Sequence, residues 1–133
     1  MQKIEHTGTA LDDIDKSNAL FANIFGKENY KPEVVESEGV LTSFFQIGDS
    51  KIELVAATNS ESPIAKYLLK NRSGMHHIAF DVDDIKKEMM RLESEGIRLL
   101  NENPKQGADN KLICFLHPKD TNGVLIELCQ EIK

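Results

Sequence analysis

The sequence predicts an α+β protein built from two βαβββ modules in tandem. The first observation is a pattern that occurs twice: residues 4–14 and 75–85 both read as a short strand with a histidine, followed by an acidic pair and an isoleucine. The second is the tripeptide Ile-Glu-Leu, which occurs at 52–54 and again at 126–128, in the same order and at nearly the same spacing. Two repeated features that keep their order indicate an internal duplication.

The first module covers about residues 1–72 and begins with a strand predicted over residues 3–10. Asp12 or Asp13 then offers an N-cap, because a carboxylate accepts hydrogen bonds from the N–H groups of a first helical turn. We expect the helix to end at Gly26. The apolar spacing predicts an inward face formed by Ile14, Ala19, Leu20, Ile24 and Phe25.

The rest of the first module reads as three strands and a short helix. The runs at 30–36, 40–47 and 51–56 are rich in strand-forming residues and are separated by glycine-containing turns. The helix starts at Ser62-Pro63, since proline is tolerated in a first turn, and its predicted buried residues are Ile64, Tyr67 and Leu68.

The second module covers about residues 73–133 and repeats this order. A strand over 76–82 leads to a helix capped by Asp83 or Asp84 and ended by Gly96. The helix is expected to bury Ile85, Met89 and Leu92. Further strands are predicted over 97–100, 111–116 and 124–129, with a loop at 101–110.

Composition places the chain among ordinary globular proteins. Its 133 residues are enough for one domain, expected over residues 1–133, and 40% of them are hydrophobic. A net charge of −6 argues against nucleic-acid and anionic-membrane surfaces. Cys114 and Cys129 lie in apolar runs and read as buried reduced thiols. With no apolar run of membrane-spanning length and no signal-peptide pattern, we expect a cytoplasmic protein.

Four residues at repeated positions form the candidate site: His6, Glu53, His77 and Glu127. Each glutamate stands between two apolar strand residues, so it points to the opposite face from them. A single strand glutamate or histidine is usually a solvated or structural residue. Two imidazoles and two carboxylates at matching positions, however, are a ligand set for a divalent metal. Mixed nitrogen and oxygen donors suit Mn²⁺, Co²⁺, Ni²⁺, Fe²⁺ or Zn²⁺, and Mg²⁺ less well.

Longer segments around these residues resemble one known family. The chain is similar to the vicinal oxygen chelate (glyoxalase/bleomycin-resistance/dioxygenase) superfamily and, within it, to the methylmalonyl-CoA epimerases. The superfamily motif is a histidine and a glutamate in each module. The segments Ser-Pro-Ile-Ala-Lys at 62–66 and Phe-Leu-His-Pro-Lys at 115–119 are more specific, because they resemble the epimerase group in particular.

The resemblance implies a cup-shaped mixed sheet around the metal and a homodimer. It implies an isomerase that interconverts the C2 epimers of methylmalonyl-CoA, a CoA thioester, by metal-assisted proton transfer through an enolate. The family's metal ligands map onto His6, Glu53, His77 and Glu127, and Glu127 is the expected catalytic acid/base. His76 is expected to support the site. Lysines that are candidates for contacting CoA phosphates are Lys66, Lys105 and Lys119.

One position departs from the family pattern. Some epimerases carry a second catalytic glutamate at a position that is Thr42 here, and a threonine hydroxyl is not a base at neutral pH. Glu36, Glu38 or water would then take that role, or the activity would differ. The alternatives are a glyoxalase I-like enzyme acting on a glutathione hemithioacetal and a non-catalytic small-molecule-binding module of the same superfamily.

Overall fold

The computed structural model describes residues 1–133, which form eight strands and three α-helices. The predicted α+β class with a mixed sheet is confirmed, since both parallel and antiparallel strand pairs occur. No helix combines the length and the apolar character that crossing a membrane requires. The elements are β1 (Lys3–Ala10), α1 (Ile14–Phe25), β2 (Tyr30–Val35), β3 (Val40–Ile47), β4 (Ser50–Ala57), α2 (Pro63–Lys70), β5 (Gly74–Asp81), α3 (Ile85–Ser94), β6 (Lys105–Gln106), β7 (Lys111–Phe115) and β8 (Ile126–Glu131).

The chain divides into two compact units, and each is described by itself. The first unit is Thr7–His76, and the second unit is Met1–His6 together with His77–Lys133. The strand β1 therefore contributes its first residues to the second unit and its remaining residues to the first. The division into modules at about residue 72 stays a prediction from the repeat.

In the first unit, strands follow the order β2-β3-β4-β1. The β3–β4 hairpin is regular from Val40↔Ala57 to Ile47↔Ser50, as its strand-forming residues predict. On one face of β4, Leu54 and Ala56 pack with Leu11, Ile14 and Phe45 into a buried cluster. Side chains alternate along a strand, so Glu53 points away from that cluster.

The helix α1 begins and ends where the sequence predicts, but only part of its predicted inward face is buried. Asp13 is the N-cap and accepts a hydrogen bond from the Lys16 backbone N–H, and Gly26 ends the helix in a left-handed conformation with φ 69°. The predicted inward residues Leu20 and Ile24 are 55% and 61% exposed, so that part of the prediction is wrong. Two other predicted residues are confirmed, because Ile14 lies in the cluster and Phe25 packs against it, and Phe21 and Ala22 pack there as well.

In the second unit, strands follow the order β1-β5-β8-β7-β6. The strand β8 pairs in parallel with β5 and antiparallel with β7. Asp84 caps α3 by accepting a hydrogen bond from the Lys87 N–H. The predicted inward face of α3 is confirmed, because Ile85, Met89 and Leu92 lie in a buried cluster with Leu128. Burial of each of these side chains stabilises the fold by roughly 1.5–3 kcal/mol.

Two strands of the second module differ from prediction. The segment 97–100 contributes only one isolated bridge, Leu99↔Leu116, and the strand in this part of the chain is β6, inside the predicted loop. The strand β8 starts at Ile126 rather than at residue 124, because Thr121, Asn122 and Gly123 continue a turn that follows a short 3-10 helix at Pro118–Asp120. Hydrogen-bonded turns of this kind carry no hydrophobic period, so the apolar run at 124–125 reads as strand.

Candidate metal centre

Three side chains of the second unit converge on one point. His6 Nε2 lies 3.2 Å from His77 Nε2. Glu127 brings Oε1 to 3.4 Å from His77 Nε2 and Oε2 to 3.8 Å from His6 Nε2. All three residues are buried, with 5%, 6% and 5% of their surfaces exposed for His6, His77 and Glu127. Three donor groups are therefore aimed at each other in a site shielded from water.

Strand alternation explains why Glu127 points into this site. Its neighbours Ile126 and Leu128 pack on the side of the sheet that carries α3, so Glu127 projects from the other face. The parallel register places Glu127 beside Ala79 of β5. His77 stands two residues before Ala79 and thus on the same face of β5, where its ring meets Phe115 edge-on at 5.9 Å between centroids.

Two further side chains, Glu5 and Cys129, lie close to His6. Glu5 Oε1 lies 3.0 Å from His6 Nδ1, and the Cys129 Sγ lies within 4.8 Å of both groups. Burial, followed by the charges of Glu127 and Glu5, raises the pKa of the Cys129 thiol. The thiol S–H points at the carbonyl of Phe80, 3.5 Å from the sulfur. Cys129 is therefore a neutral neighbour of the site, and it is free, as is Cys114.

The chemistry of the three donors fits a divalent metal. Zinc and similar ions bind imidazole nitrogen and carboxylate oxygen at about 2.0–2.2 Å, which requires neighbouring donor atoms to lie roughly 3–3.5 Å apart. The His6–His77 and His77–Glu127 separations of 3.2 Å and 3.4 Å meet this condition. Without an ion, two imidazoles and a carboxylate buried together would be costly unless they are well hydrogen-bonded. His6, His77 and Glu127 therefore form a candidate metal-binding cluster.

The fourth predicted ligand, Glu53, belongs to the first unit. It lies in β4 opposite Phe44 of β3 and is only 6% exposed. A charged side chain is rarely this buried unless it is paired or binds a ligand. Its assignment as a ligand stays a prediction that rests on the internal repeat.

The predicted second acid/base position is occupied by a structural hydroxyl. Thr42 is 1% exposed, and its hydroxyl donates to the Glu33 carbonyl at 3.3 Å. Glu36 and Glu38 lie in a one-turn 3-10 helix before Gly39, with Glu36 exposed and Glu38 half-buried.

The remaining predicted residues occupy less central places. The His76 ring contacts Tyr67 edge-on at 4.8 Å between centroids, and its supporting role stays a prediction. Lys66 on α2 and Lys119 in the 3-10 turn are exposed, and Lys105 in β6 is half-buried. These lysines stay candidates for phosphate contacts.

Glu5 is the one residue at the centre that the sequence pattern did not single out. It is 3% exposed, although a charged residue beside a strand histidine usually faces water. The only sequence signal is a carboxylate directly before a predicted ligand. That signal is weak, because neighbouring strand residues normally point to opposite faces.

Comparisons with known proteins agree with the geometry. The sequence profile of the Glyoxalase/Bleomycin resistance protein/Dioxygenase superfamily matches residues 5–115. The chain is 40% identical over 129 residues to the mitochondrial methylmalonyl-CoA epimerase of Bos taurus, covering 96% of this chain and 74% of the relative. It is 39% identical to the ethylmalonyl-CoA/methylmalonyl-CoA epimerase of Cereibacter sphaeroides, covering 96% of this chain and 97% of the relative.

A solved structure of methylmalonyl-CoA epimerase in complex with methylmalonyl-CoA and NH4+ has the same fold. It superimposes with a TM-score of 0.95 at 34% identity, covering 98% of this chain and 95% of that one. The profile match at residues 5–115 includes His6 and His77 and ends before Glu127. The two relatives each cover 96% of this chain. The chain belongs to the glyoxalase/bleomycin resistance protein/dioxygenase superfamily, among relatives that are methylmalonyl-CoA epimerases.

Proposed function

We propose that this chain is an isomerase that interconverts the two C2 epimers of methylmalonyl-CoA. The observation that carries the proposal is the buried cluster of His6, His77 and Glu127, which places a carboxylate against two metal-type donors. The relatives support this activity over the two alternatives from sequence, because those with a named activity across most of this chain are epimerases of this substrate class.

The chain's own residues account for the first half of the reaction. His6 and His77 would hold a divalent ion, with Glu127 as the third ligand and Glu53 as the fourth by the repeat. Such an ion supplies Lewis-acid stabilisation of the negative charge that develops on the thioester oxygen. Glu127 takes the C2 proton: the C–H bond breaks, the proton moves to the carboxylate, and the electron pair stays on the substrate.

Inversion requires that a proton return to the opposite face of C2. The new C–H bond forms with a proton from a second donor, and Glu127 releases its own proton when the cycle closes. Thr42 does not supply this proton, because its hydroxyl donates to the Glu33 carbonyl inside the sheet. Glu36, Glu38 and water stay as the candidates. Burial of the cluster favours the reaction, since excluding water strengthens the electrostatic stabilisation of developing charge.

Solvent exchange tests the proposal directly. One epimer of methylmalonyl-CoA is incubated with metal-loaded protein in heavy water, and deuterium at C2 is followed together with the epimer ratio. We expect both incorporation of deuterium and equilibration of the epimers. Metal-loaded protein that exchanges no proton would contradict the proposal. Turnover of the methylglyoxal–glutathione hemithioacetal without turnover of the CoA ester would favour the glyoxalase-like alternative.

The oligomeric state, the cellular compartment and the metal form a second part of the proposal. The resemblance to the epimerase group predicts a homodimer, which light scattering of the purified protein tests. Two free, buried cysteines favour a reducing compartment such as the cytoplasm. Metal analysis of protein loaded separately with Co²⁺, Mn²⁺, Ni²⁺, Zn²⁺ or Mg²⁺ shows which ions bind. The heavy-water assay on each sample then shows which ions support proton exchange at C2.

A further inference from the structure

The carboxylate of Glu5 is buried against the rear nitrogen of His6. Only 3% of Glu5 is exposed, and its Oε1 lies 3.0 Å from His6 Nδ1. A carboxylate oxygen accepts hydrogen bonds, so in this contact the imidazole would be the donor, through an N–H at Nδ1. A neutral imidazole that carries its proton on Nδ1 has its lone pair on Nε2.

The other end of the same ring faces the candidate metal centre. His6 Nε2 lies 3.2 Å from His77 Nε2 and 3.8 Å from Glu127 Oε2. The ring therefore spans two environments, with a buried carboxylate at Nδ1 and the cluster at Nε2. A ligand imidazole needs its lone pair on the nitrogen that faces the ion, and the group at the other nitrogen decides which tautomer is present.

We propose that Glu5 is a positioning residue that holds His6 in the Nδ1–H tautomer, with the Nε2 lone pair directed at the metal centre. Glu5 does not touch substrate or metal in this role. It acts through His6, by fixing the orientation of the ring and by increasing the basicity of Nε2. The inference rests on the proposed metal site for its affinity effect, whereas the tautomer can be measured without metal.

The repeat places a carboxylate before His6 but not before His77. His77 occupies the position that matches His6, but the residue before it is His76, whose ring packs edge-on against Tyr67. An imidazole in that contact is not an anionic acceptor for a neighbouring ring. The carboxylate that precedes His6 therefore has no counterpart at position 76.

The first experiment is NMR of chelator-treated protein labelled with ¹⁵N-histidine, at mildly alkaline pH. Long-range proton–nitrogen correlation distinguishes a protonated ring nitrogen from one with a lone pair. We expect His6 to show a protonated Nδ1 and a lone pair on Nε2. A protonated Nε2 on His6 in the wild-type protein would overturn the proposal, because the carboxyl group would then not be imposing this tautomer.

The second experiment measures Co²⁺ affinity calorimetrically, with the visible spectrum of bound Co²⁺ as a check on coordination. Glu5→Met removes the acceptor at nearly constant volume, and Glu5→Gln keeps a neutral, weaker acceptor. We expect affinity to fall about 10–100-fold in Glu5→Met and by less in Glu5→Gln. Glu131→Gln, on the exposed end of β8 in the same unit, should bind Co²⁺ like the wild type.

The two arms separate failure of this inference from failure of the proposed function. Wild-type affinity in Glu5→Gln, and in Glu5→Met where it folds, would overturn the positioning role. If the wild-type protein bound no Co²⁺, the metal proposal would fail, and the NMR experiment would still decide whether Glu5 sets the His6 tautomer. If Glu5→Met does not fold, the Co²⁺ affinity of Glu5→Gln relative to the wild type tests the inference by itself.

Discussion

The Nε2 atoms of His6 and His77 lie 3.2 Å apart, although 71 residues separate the two histidines in the chain. Both residues are buried, and Glu127 approaches both nitrogens. Two ring nitrogens this close need either a shared proton or a shared ion between their lone pairs. Substitutions in this pair therefore test the proposed metal site.

Replacing His77 should remove the metal and the activity together. His77→Ala removes one of the two imidazole donors and leaves His6 and Glu127 of the cluster, with Glu53 as the proposed further ligand, so the metal should bind much more weakly. We expect kcat/KM for C2 exchange to fall at least about 100-fold, because a bound metal supplies several kcal/mol of charge stabilisation. Elemental analysis after dialysis and the heavy-water assay measure the two effects, with Glu131→Gln as the matched control. Normal activity in a variant that holds no metal would contradict the proposed role.

Substitutions of Glu53 should grade the metal affinity. Glu53→Leu removes the donor oxygens, whereas Glu53→Gln keeps an amide oxygen that can still act as a ligand. We expect Co²⁺ affinity to decrease in the order wild type, Glu53→Gln, Glu53→Leu. Circular dichroism checks that the variants fold, since Glu53 is buried in β4. If Glu53→Leu folds and binds Co²⁺ like the wild type, Glu53 is not a ligand.

Thr42 should prove structural rather than catalytic. Thr42→Val removes the hydroxyl that donates to the Glu33 carbonyl, and we expect a loss of about 1 kcal/mol in the free energy of unfolding. Deuterium exchange at C2 should stay close to wild type when started from either epimer. Glu38→Gln is the companion measurement: a loss confined to exchange on one face of C2 would identify Glu38 as the second acid/base. A similar one-sided loss in Thr42→Val would show that the hydroxyl takes part.

The ion pair between Arg98 and Asp120 should make stability depend on pH in the acidic range. Hydrogen bonds from the Arg98 side chain, and then from its backbone N–H, hold the pKa of Asp120 well below its usual range. The folded-state pKa is lower than the unfolded value of about 3.9, so the stabilisation is fully present above that pH and is lost as the pH falls below it.

Urea unfolding of wild type and Asp120→Asn at several pH values measures this effect. We expect the variant to be less stable near neutral pH and the difference to shrink as the pH falls below about 4. Glu102→Gln, an exposed acidic position on the same unit, controls for the loss of one negative charge. A difference that stays constant down to strongly acidic pH would contradict the assigned pKa shift.

The corrected face of α1 predicts opposite outcomes for two neighbouring residues. Phe25 packs against Phe45 with ring centroids 5.2 Å apart, so Phe25→Ala should cost roughly 2–4 kcal/mol of unfolding free energy. Ile24 is 61% exposed, and Ile24→Ala should change it by less than about 0.5 kcal/mol. Thermal and urea unfolding of the pair measures both. A larger loss in Ile24→Ala than in Phe25→Ala would mean that Ile24 is covered in solution, as in an interface between subunits.

Local sequence signals predicted much of the fold. Each helix cap was predicted as one of two adjacent aspartates, and the structure uses Asp13 and Asp84. The end of α1 was predicted at Gly26, which is its C-cap. Capping is predictable because it depends on a few adjacent residues. The inward face of α3 was also predictable, since Ile85, Met89 and Leu92 follow one clear period. The face of α1 was not, because apolar residues occur on two sides of that helix and only contact with the sheet decides between them.

The sequence by itself predicted the order of most elements, apart from β6 and the segment 97–100, and it supplied the repeat and the four candidate ligands. These follow from residue types and spacing along the chain. Only the tertiary structure brought His6, His77 and Glu127 to within 4 Å of each other and placed Glu5 against His6. Strand pairing between distant segments, such as β5 with β8, fixes which side chains share a face, and burial decides which carboxylate must find a partner.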